Sequence, residues 1–160
     1  MYAKANGKTL FAIYQGPWNI LDRSFEREII PMARAHGLAL APWNVLASGH
    51  LRTDAEEARR EATGEKGRPG MDTSWKRDEN QKKMSAALEK VAKEIGREHT
   101  TAVAIAYVMQ KAPYIFLIIG GRKVEHLMTN IDALKISLTL KSRSSILGVS
   151  CHTISVSRTI

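Results

Sequence analysis

The residues best suited to chemistry in this 160-residue chain lie just after three short apolar runs. Gln15 follows Leu10-Phe11-Ala12-Ile13-Tyr14 and precedes Gly16-Pro17. Trp43 follows Leu38-Ala39-Leu40-Ala41-Pro42. Gly120-Gly121-Arg122-Lys123 follows Tyr114-Ile115-Phe116-Leu117-Ile118-Ile119. An amide such as Gln15 both donates and accepts, as recognition of a carboxamide requires. The indole of Trp43 offers a flat face for a planar ring. Gly120-Gly121 lets backbone approach a ligand closely, and a helix starting just beyond it favours a phosphate. Arg122 adds a planar fork of donors that matches phosphate oxygens. Together these groups make a kit for a nucleotide. Each also has a plainer role taken singly: Trp43 as rim packing, the glycines as a βα turn, Gln15 as a partner for loop backbone.

The elements that would position these groups alternate. The runs at 10–14, 38–41 and 114–119 read as strands buried on both faces, the parallel-sheet type. Ser24 offers an N-cap for a helix carrying Phe25, Ile29, Met32 and Ala33, with Pro31 predicted to kink it and Gly37 to stop it. Residues 48–76 form a long loop broken by glycines. Thr53-Asp54-Ala55-Glu56 has the form of a capping box for a short exposed helix inside it. Met84, Ala87, Leu88, Val91, Ala92 and Ile95 mark an amphipathic helix closed by Gly96. A further helix is capped by Thr100 or Thr101 and stopped at Ala112-Pro113. The last begins near Lys123, with Leu127, Ile131 and Leu134 at i, i+4, i+7. The order β-α-β-loop-α-α-β-α implies a parallel α/β sheet with right-handed crossovers. A complete eightfold barrel needs about 250 residues, and three strands cannot close one.

Composition narrows the class. Hydrophobic residues make up 44% and charged residues 25%, as in an ordinary globular protein. No apolar run approaches membrane-spanning length, and no signal-peptide h-region is visible near Met1. The single Cys151 cannot form an internal disulfide framework, and it fits a reducing, cytoplasmic setting. The net charge of +8 raises nucleic acid as a partner, but four of those charges, Lys135, Lys141, Arg143 and Arg158, sit in an end that holds no acidic residue. Elsewhere the charges are interspersed, as in Glu56-Glu57-Ala58-Arg59-Arg60-Glu61, the pattern of a solvated helix face. Neither nucleic acid nor membrane is an expected partner. From Ser137 onward single aliphatics alternate with Ser, Thr, Arg and Lys and no helical period persists. Residues 149–156 have strand propensity.

Three stretches carry a resemblance. They are Tyr14-Gln15-Gly16-Pro17-Trp18-Asn19 with Arg23 and Glu26, Ala41-Pro42-Trp43-Asn44-Val45-Leu46-Ala47-Ser48-Gly49, and Ile119-Gly120-Gly121-Arg122-Lys123-Val124-Glu125-His126-Leu127 with Asn130. In this order and spacing they resemble the aldo-keto reductases, in particular the fungal aryl-alcohol dehydrogenase and norsolorinic acid reductase-like branch, over roughly residues 3–140. The resemblance implies an α/β fold: the C-terminal fragment of a (β/α)8 TIM barrel, about three βα units, with an aberrant tail. It divides the chain into a partial domain at 1–140 and a divergent tail at 141–160, with the family's closing helix missing after about Lys141.

The resemblance also implies a function: an NADP(H)-dependent oxidoreductase interconverting aldehydes or ketones and alcohols, with aryl substrates. By it, Gln15 holds the nicotinamide carboxamide and Trp43 stacks on the nicotinamide ring. Asn44, Leu46 and Ser48 line the pyrophosphate, largely through backbone. Gly120, Gly121 and Arg122 meet the 2′-phosphate, while His126 and Asn130 flank that phosphate and the adenine. Asn44-Val45 departs from the Ser-Pro of many members. The family's catalytic Tyr, Lys, Asp and His come from its first four strands, so no catalytic residue is assigned here. The alternative is a non-catalytic remnant, at most a weak nucleotide binder. Two open barrel edges are expected to make the chain associate through them.

Overall fold

The computed structural model describes residues 2–65, 76–121 and 123–150. Along the chain run α1 (Tyr2–Ala5), β1 (Ile13–Pro17), α2 (Ile29–His36), β2 (Ala39–Trp43), α3 (Asp54–Thr63), α4 (Glu79–Glu94), α5 (Thr100–Met109), α6 (Val124–Asp132) and α7 (Leu140–Ser150). Single 3₁₀ turns occupy Ser24–Glu26, Ala47–Gly49 and Ala133–Lys135. No helix among the described residues is long and apolar enough to cross a membrane.

β1 and β2 pair in parallel, with Ile13 opposite Ala39, Gln15 opposite Ala41 and Pro17 opposite Trp43. The third apolar run lies along the other side of β2. Leu40 N–H donates to Tyr114 O at 2.9 Å, and Phe116 and Ile118 N–H donate to Leu40 O and Pro42 O at 2.8 and 2.9 Å. Only one bridge, Leu40 to Ile115, is complete. The physical reason is Pro42, which has no N–H to return the next bond. The predicted strand at 114–119 is therefore present from Ile115 onward on a half-made ladder, with Tyr114 in the left-handed region at φ 58°. β1 begins later than its apolar run: Leu10 and Phe11 lie outside it and are exposed.

The expectation that the strands are buried on both faces is corrected. Tyr14, Gly16, Leu40, Pro42 and Ile115 turn toward the helices and are buried or half-buried. Ile13, Gln15, Trp43, Tyr114, Phe116 and Ile118 form the opposite face, which no described element covers; Phe116 is 62% exposed. Gly16 permits the inner packing, since a Cβ there would stand 3.0 Å from Phe25 Cε2.

The core lies between the inner sheet face, α4 and α5, where Leu88, Val91, Val103, Ile105 and Val108 are buried. α5 is buried from Ala102 to Val108, as suits a helix that is apolar all round. α4 is capped by Asp78, whose side chain accepts from Gln81 N–H while Gln81 returns a bond to Asp78 N–H. Thr53 caps α3 as predicted, accepting from Glu56 N–H at 3.2 Å.

Other local expectations need correction. Ser24 is not an N-cap: Asp22 Oδ1 accepts from Ser24 N–H and Oγ, and the chain makes one 3₁₀ turn before α2 starts at Ile29. Pro31 falls in the first turn of α2, where a missing N–H costs nothing, and α2 continues to Gly37 in the left-handed conformation. Thr100 is the first residue of α5, not its cap. Past Lys141 the chain is helical rather than aperiodic. Thr139 Oγ1 accepts from Ser142 N–H at 3.1 Å, starting α7, which packs on α4 through buried Ser142 and Ile146. The strand-prone stretch at 149–156 lies largely outside the described residues.

Glu26 joins the post-β1 turn to α5. It takes two bonds from Arg23 at 3.0 and 2.8 Å, an ion pair from Lys111 at 3.1 Å and the Tyr107 hydroxyl at 3.4 Å. Burial pushes its carboxyl upward, but the bonds and charges of Arg23 and Lys111 outweigh burial and hold it below the usual carboxylate range. A depressed folded value adds stability above the unfolded value and loses it as pH falls through the folded one. Urea titrations between neutral pH and pH 3 are expected to show less acid destabilisation in Glu26→Gln than in the wild type; identical pH profiles would contradict this account.

Candidate functional site

The site is built where the strands end. Because β1 and the 114–119 segment flank β2, their exits are neighbours, spaced by about 4.8 Å per strand. Trp18 N–H donates to Trp43 O at 3.1 Å, which continues the pairing beyond β1. Gln15 lies on the bare face two residues before the end of β1, and its partner in register is Ala41. Trp43 ends β2 on that same face and is 40% exposed. Gly120 and Gly121 leave the third run beside them and are exposed. Arg122 lies outside the described residues.

The turn after β2 has an unusual backbone. Asn44, Ala47, Ser48 and Gly49 all have positive φ, at 58°, 48°, 55° and 87°. For a non-glycine residue that conformation costs about 1–2 kcal/mol, least for Asn. The structure offsets it by tying down the carbonyls. Asn19 Nδ2 donates to Asn44 O at 3.2 Å and Ala47 N–H to the same oxygen at 2.9 Å. Gly49 N–H holds Leu46 O at 2.9 Å, and the His50 ring stands 2.7 Å from Ala47 O. Arg52 donates to Gly49 O at 2.9 Å. Asn44 Oδ1 accepts from Ser48 N–H at 2.8 Å and lies 3.1 Å from Ser48 Oγ. Leu46 is half-buried and Ser48 exposed.

At the third exit the close approach is real. A Cβ on Gly121 would stand 3.0 Å from His126 Cβ, so glycine lets α6 begin against this strand. His126 is exposed and Asn130, one turn further along α6, is half-buried. Lys123 pairs with Glu65 at 4.0 Å, linking the end of the α3 excursion to the start of α6. The structure thus brings Gln15, Trp43, Asn44, Ser48, Gly120 and Gly121 to one end of the sheet, with His126 behind Gly121.

A protein-family model for the aldo/keto reductase family matches residues 1–149. This chain belongs to that family. It is 58% identical over 139 residues to an NADP(+) aryl-alcohol dehydrogenase of Phanerodontia chrysosporium, covering 86% of this chain and 36% of the relative. It is 46% identical over 138 residues to norsolorinic acid reductase A of Aspergillus parasiticus, covering 86% and 33%. A glycerol dehydrogenase from Gluconobacter oxydans superposes with a TM-score of 0.65 at 22% identity, over 84% of this chain and 41% of that structure. The chain therefore spans about a third of the length of these two relatives, and it builds a section of the family's (β/α)8 barrel.

Within that section, sequence reasoning missed Asn19, His50, Arg52 and Arg77. Asn19 alone had a legible signal. Its Oδ1 accepts from Leu21 and Asp22 N–H at 2.9 and 2.8 Å, an Asx turn that Asn19-Ile20-Leu21-Asp22 favours. The departure at Asn44 also acquires a cause, because Asn tolerates the left-handed backbone and its side chain caps Ser48. Asn44→Ala is expected to cost about 1–2 kcal/mol in urea unfolding. Asn44→Gly, which relieves the backbone but also loses the cap, is expected to cost less. Equal losses would show that backbone conformation is not what Asn44 supplies.

Proposed function

We propose that this chain is the cofactor-binding section of an NADP(H)-dependent oxidoreductase of the aldo-keto reductase type. That activity interconverts aldehydes or ketones and alcohols, with aryl substrates. The observation that carries the reading is the adjacency, at one end of the sheet, of Gln15, the exposed Trp43 and the Gly120-Gly121 exit. Support comes also from the relative at 58% identity, which is named for NADP(+) and aryl alcohols.

The residues fit such a cofactor. Trp43 presents an open ring face beside the Gln15 amide, as a carboxamide-bearing ring requires. The turn of Asn44, Leu46 and Ser48 is held in one conformation, with its carbonyls engaged and the N–H groups of Ala47, Ser48 and Gly49 bonded within the turn, which suits a preorganised wall beside the Trp43 ring. Gly121 and the start of α6, with Gly120 and His126 beside them, suit a phosphate; in this reading Arg122 also serves that phosphate and Asn130 the adenine. Bound NADPH supplies the hydride; the residues here bind and orient it.

No proton donor for the carbonyl oxygen is assigned within this chain. Tyr107 is buried on α5 against Glu26; burial first and the Glu26 charge next push its phenol up to about 12. Tyr14 packs edge-on to Phe25 on the inner face. Tyr114 opens the 114–119 run, at the end away from Gly120, and Tyr2 is on α1. In this reading the general acid comes from other strands of the barrel, and the chain alone binds nucleotide without turnover.

Titration of the purified chain with NADPH, followed by cofactor and tryptophan fluorescence, is expected to saturate. Trp43→Ala should weaken binding by about fivefold, a ring-stacking loss of roughly 1 kcal/mol. No fluorescence change at millimolar NADPH would sink the proposal. NADPH oxidation by the chain alone with an aryl aldehyde would place the proton donor within it.

A further inference from the structure

The excursion between β2 and α4 carries a buried ionic cluster that the cofactor reading leaves without a role. Arg77 has a side chain only 2% exposed. Its Nε donates to Glu57 Oε2, one terminal nitrogen to Arg52 O and the other to Asp54 Oδ1. Arg52 is also buried. Its Nε donates to the same Glu57 oxygen at 3.1 Å, and its terminal nitrogen donates to Gly49 O at 2.9 Å. A continuous line of bonds thus runs from Arg77 through Glu57 and Arg52 to the carbonyl that closes the left-handed turn.

This line differs from the turn's other ties. Leu46 O and Ala47 O are held by immediate neighbours, and Asn44 O by Ala47 and by Asn19 from the β1 exit. Gly49 O is held by a group that is itself oriented from α3 and Arg77. Burial pushes the Glu57 carboxyl up, but the bonds and charges of Arg77 and Arg52 outweigh it, so the carboxylate stays ionised. Removing one member of a buried charged set leaves the rest uncompensated, and they move. Arg77 meets three acceptors in three directions, which a guanidinium fork can do and an ammonium cannot reproduce in the same geometry.

We propose that Arg77 is a positioning residue for the cofactor turn: through Glu57 and Arg52 it fixes the Gly49 carbonyl and hence the conformation of residues 44–49. This rests on the reading of that turn as the pyrophosphate site. It makes Arg77, Glu57 and Arg52 determinants of cofactor affinity, although none of the three lies at a strand exit.

The test compares the wild-type chain with Arg77→Met, Arg77→Lys and Glu57→Gln, using NADPH, ADP-ribose and 2′-AMP as probes. Only the first two contain a pyrophosphate. Arg77→Met and Glu57→Gln are expected to weaken NADPH and ADP-ribose by about tenfold and leave 2′-AMP unchanged. Arg77→Lys is expected to behave like Arg77→Met; full rescue by Lys would overturn the role of the fork. Unchanged affinities, or an equal loss for all three probes, would overturn the proposal. Hydrogen exchange gives a second readout that does not need a bound cofactor. Arg77→Met should speed exchange across residues 44–50 and leave residues 102–108 in α5 as in the wild type. If the wild-type chain takes up no NADPH, the cofactor reading falls, and unchanged exchange at 44–50 would then remove the coupling as well.

Discussion

Among the described residues β2 is the one strand paired on both sides, and the placement of the three strand exits follows from it. Its five residues fix β1 through a parallel register and fix the 114–119 run through alternate bonds to Leu40 and Pro42. Pro42 makes this pairing unequal. Toward the third run it accepts from Ile118 N–H but cannot donate. It stands just before Trp43, which ends the strand and leads into a turn with four positive φ angles. A weakened ladder and a tightly tied turn therefore stand side by side, and the side-chain and backbone ties around 44–50 hold what the ladder does not.

How much of this was legible in the sequence depends on the range of the interaction involved. Helix stops written in single residues are legible: Gly37 and Gly96 both adopt the left-handed conformation at helix ends. The Thr53 cap and the α4 stripe were legible for the same reason. Ser24 and Thr100 do not cap because Asp22 Oδ1 engages the Ser24 N–H and hydroxyl, and α5 already begins at Thr100, after His99, which makes no side-chain cap bond. α7 was illegible because only one side of it is used, by Ser142 and Ile146 against α4, and its start depends on one Thr139 hydroxyl. At the candidate site the three exits are visible as motifs, Asn19 among them, but the tie from Asn19 to Asn44 and the roles of Arg52 and Arg77 are not. Asn19 and Arg77 reach partners 25 and 20 residues away, beyond any local pattern, and Arg52 is oriented by a Glu57 that looks like one more charge on a solvated helix.

Charge illustrates the same division. The interspersed run on α3 does behave as a solvated face, with no buried residue in the helix, and Lys76–Glu61 and Arg59–Glu65 are exposed pairs of little energetic weight. Yet Glu57, in the middle of that run, turns inward to Arg52 and Arg77. A helix face that looks uniform in sequence thus contains one residue whose removal would leave buried cations uncompensated.

The bare side of the sheet ties fold to chemistry. Burying apolar surface stabilises by roughly 25 cal/mol per Å², so leaving Ile13, Tyr114, Phe116 and Ile118 in water is unfavourable for the isolated section. Leu127 and Ile131 of α6 and Leu134 in the following 3₁₀ turn are also exposed. The residues on the bare face are not uniform along the strands, however. Ile13, Tyr114 and Phe116 lie toward its start, while Gln15 and Trp43 lie toward its end. Barrels of this architecture fill their interior with apolar layers and place ligands at the C-terminal rim. The chain spans about a third of the length of its aryl-alcohol dehydrogenase relative. Within that third it already has both features: an apolar interior that needs further strands to be covered, and a polar rim whose geometry is set by its own backbone bonds.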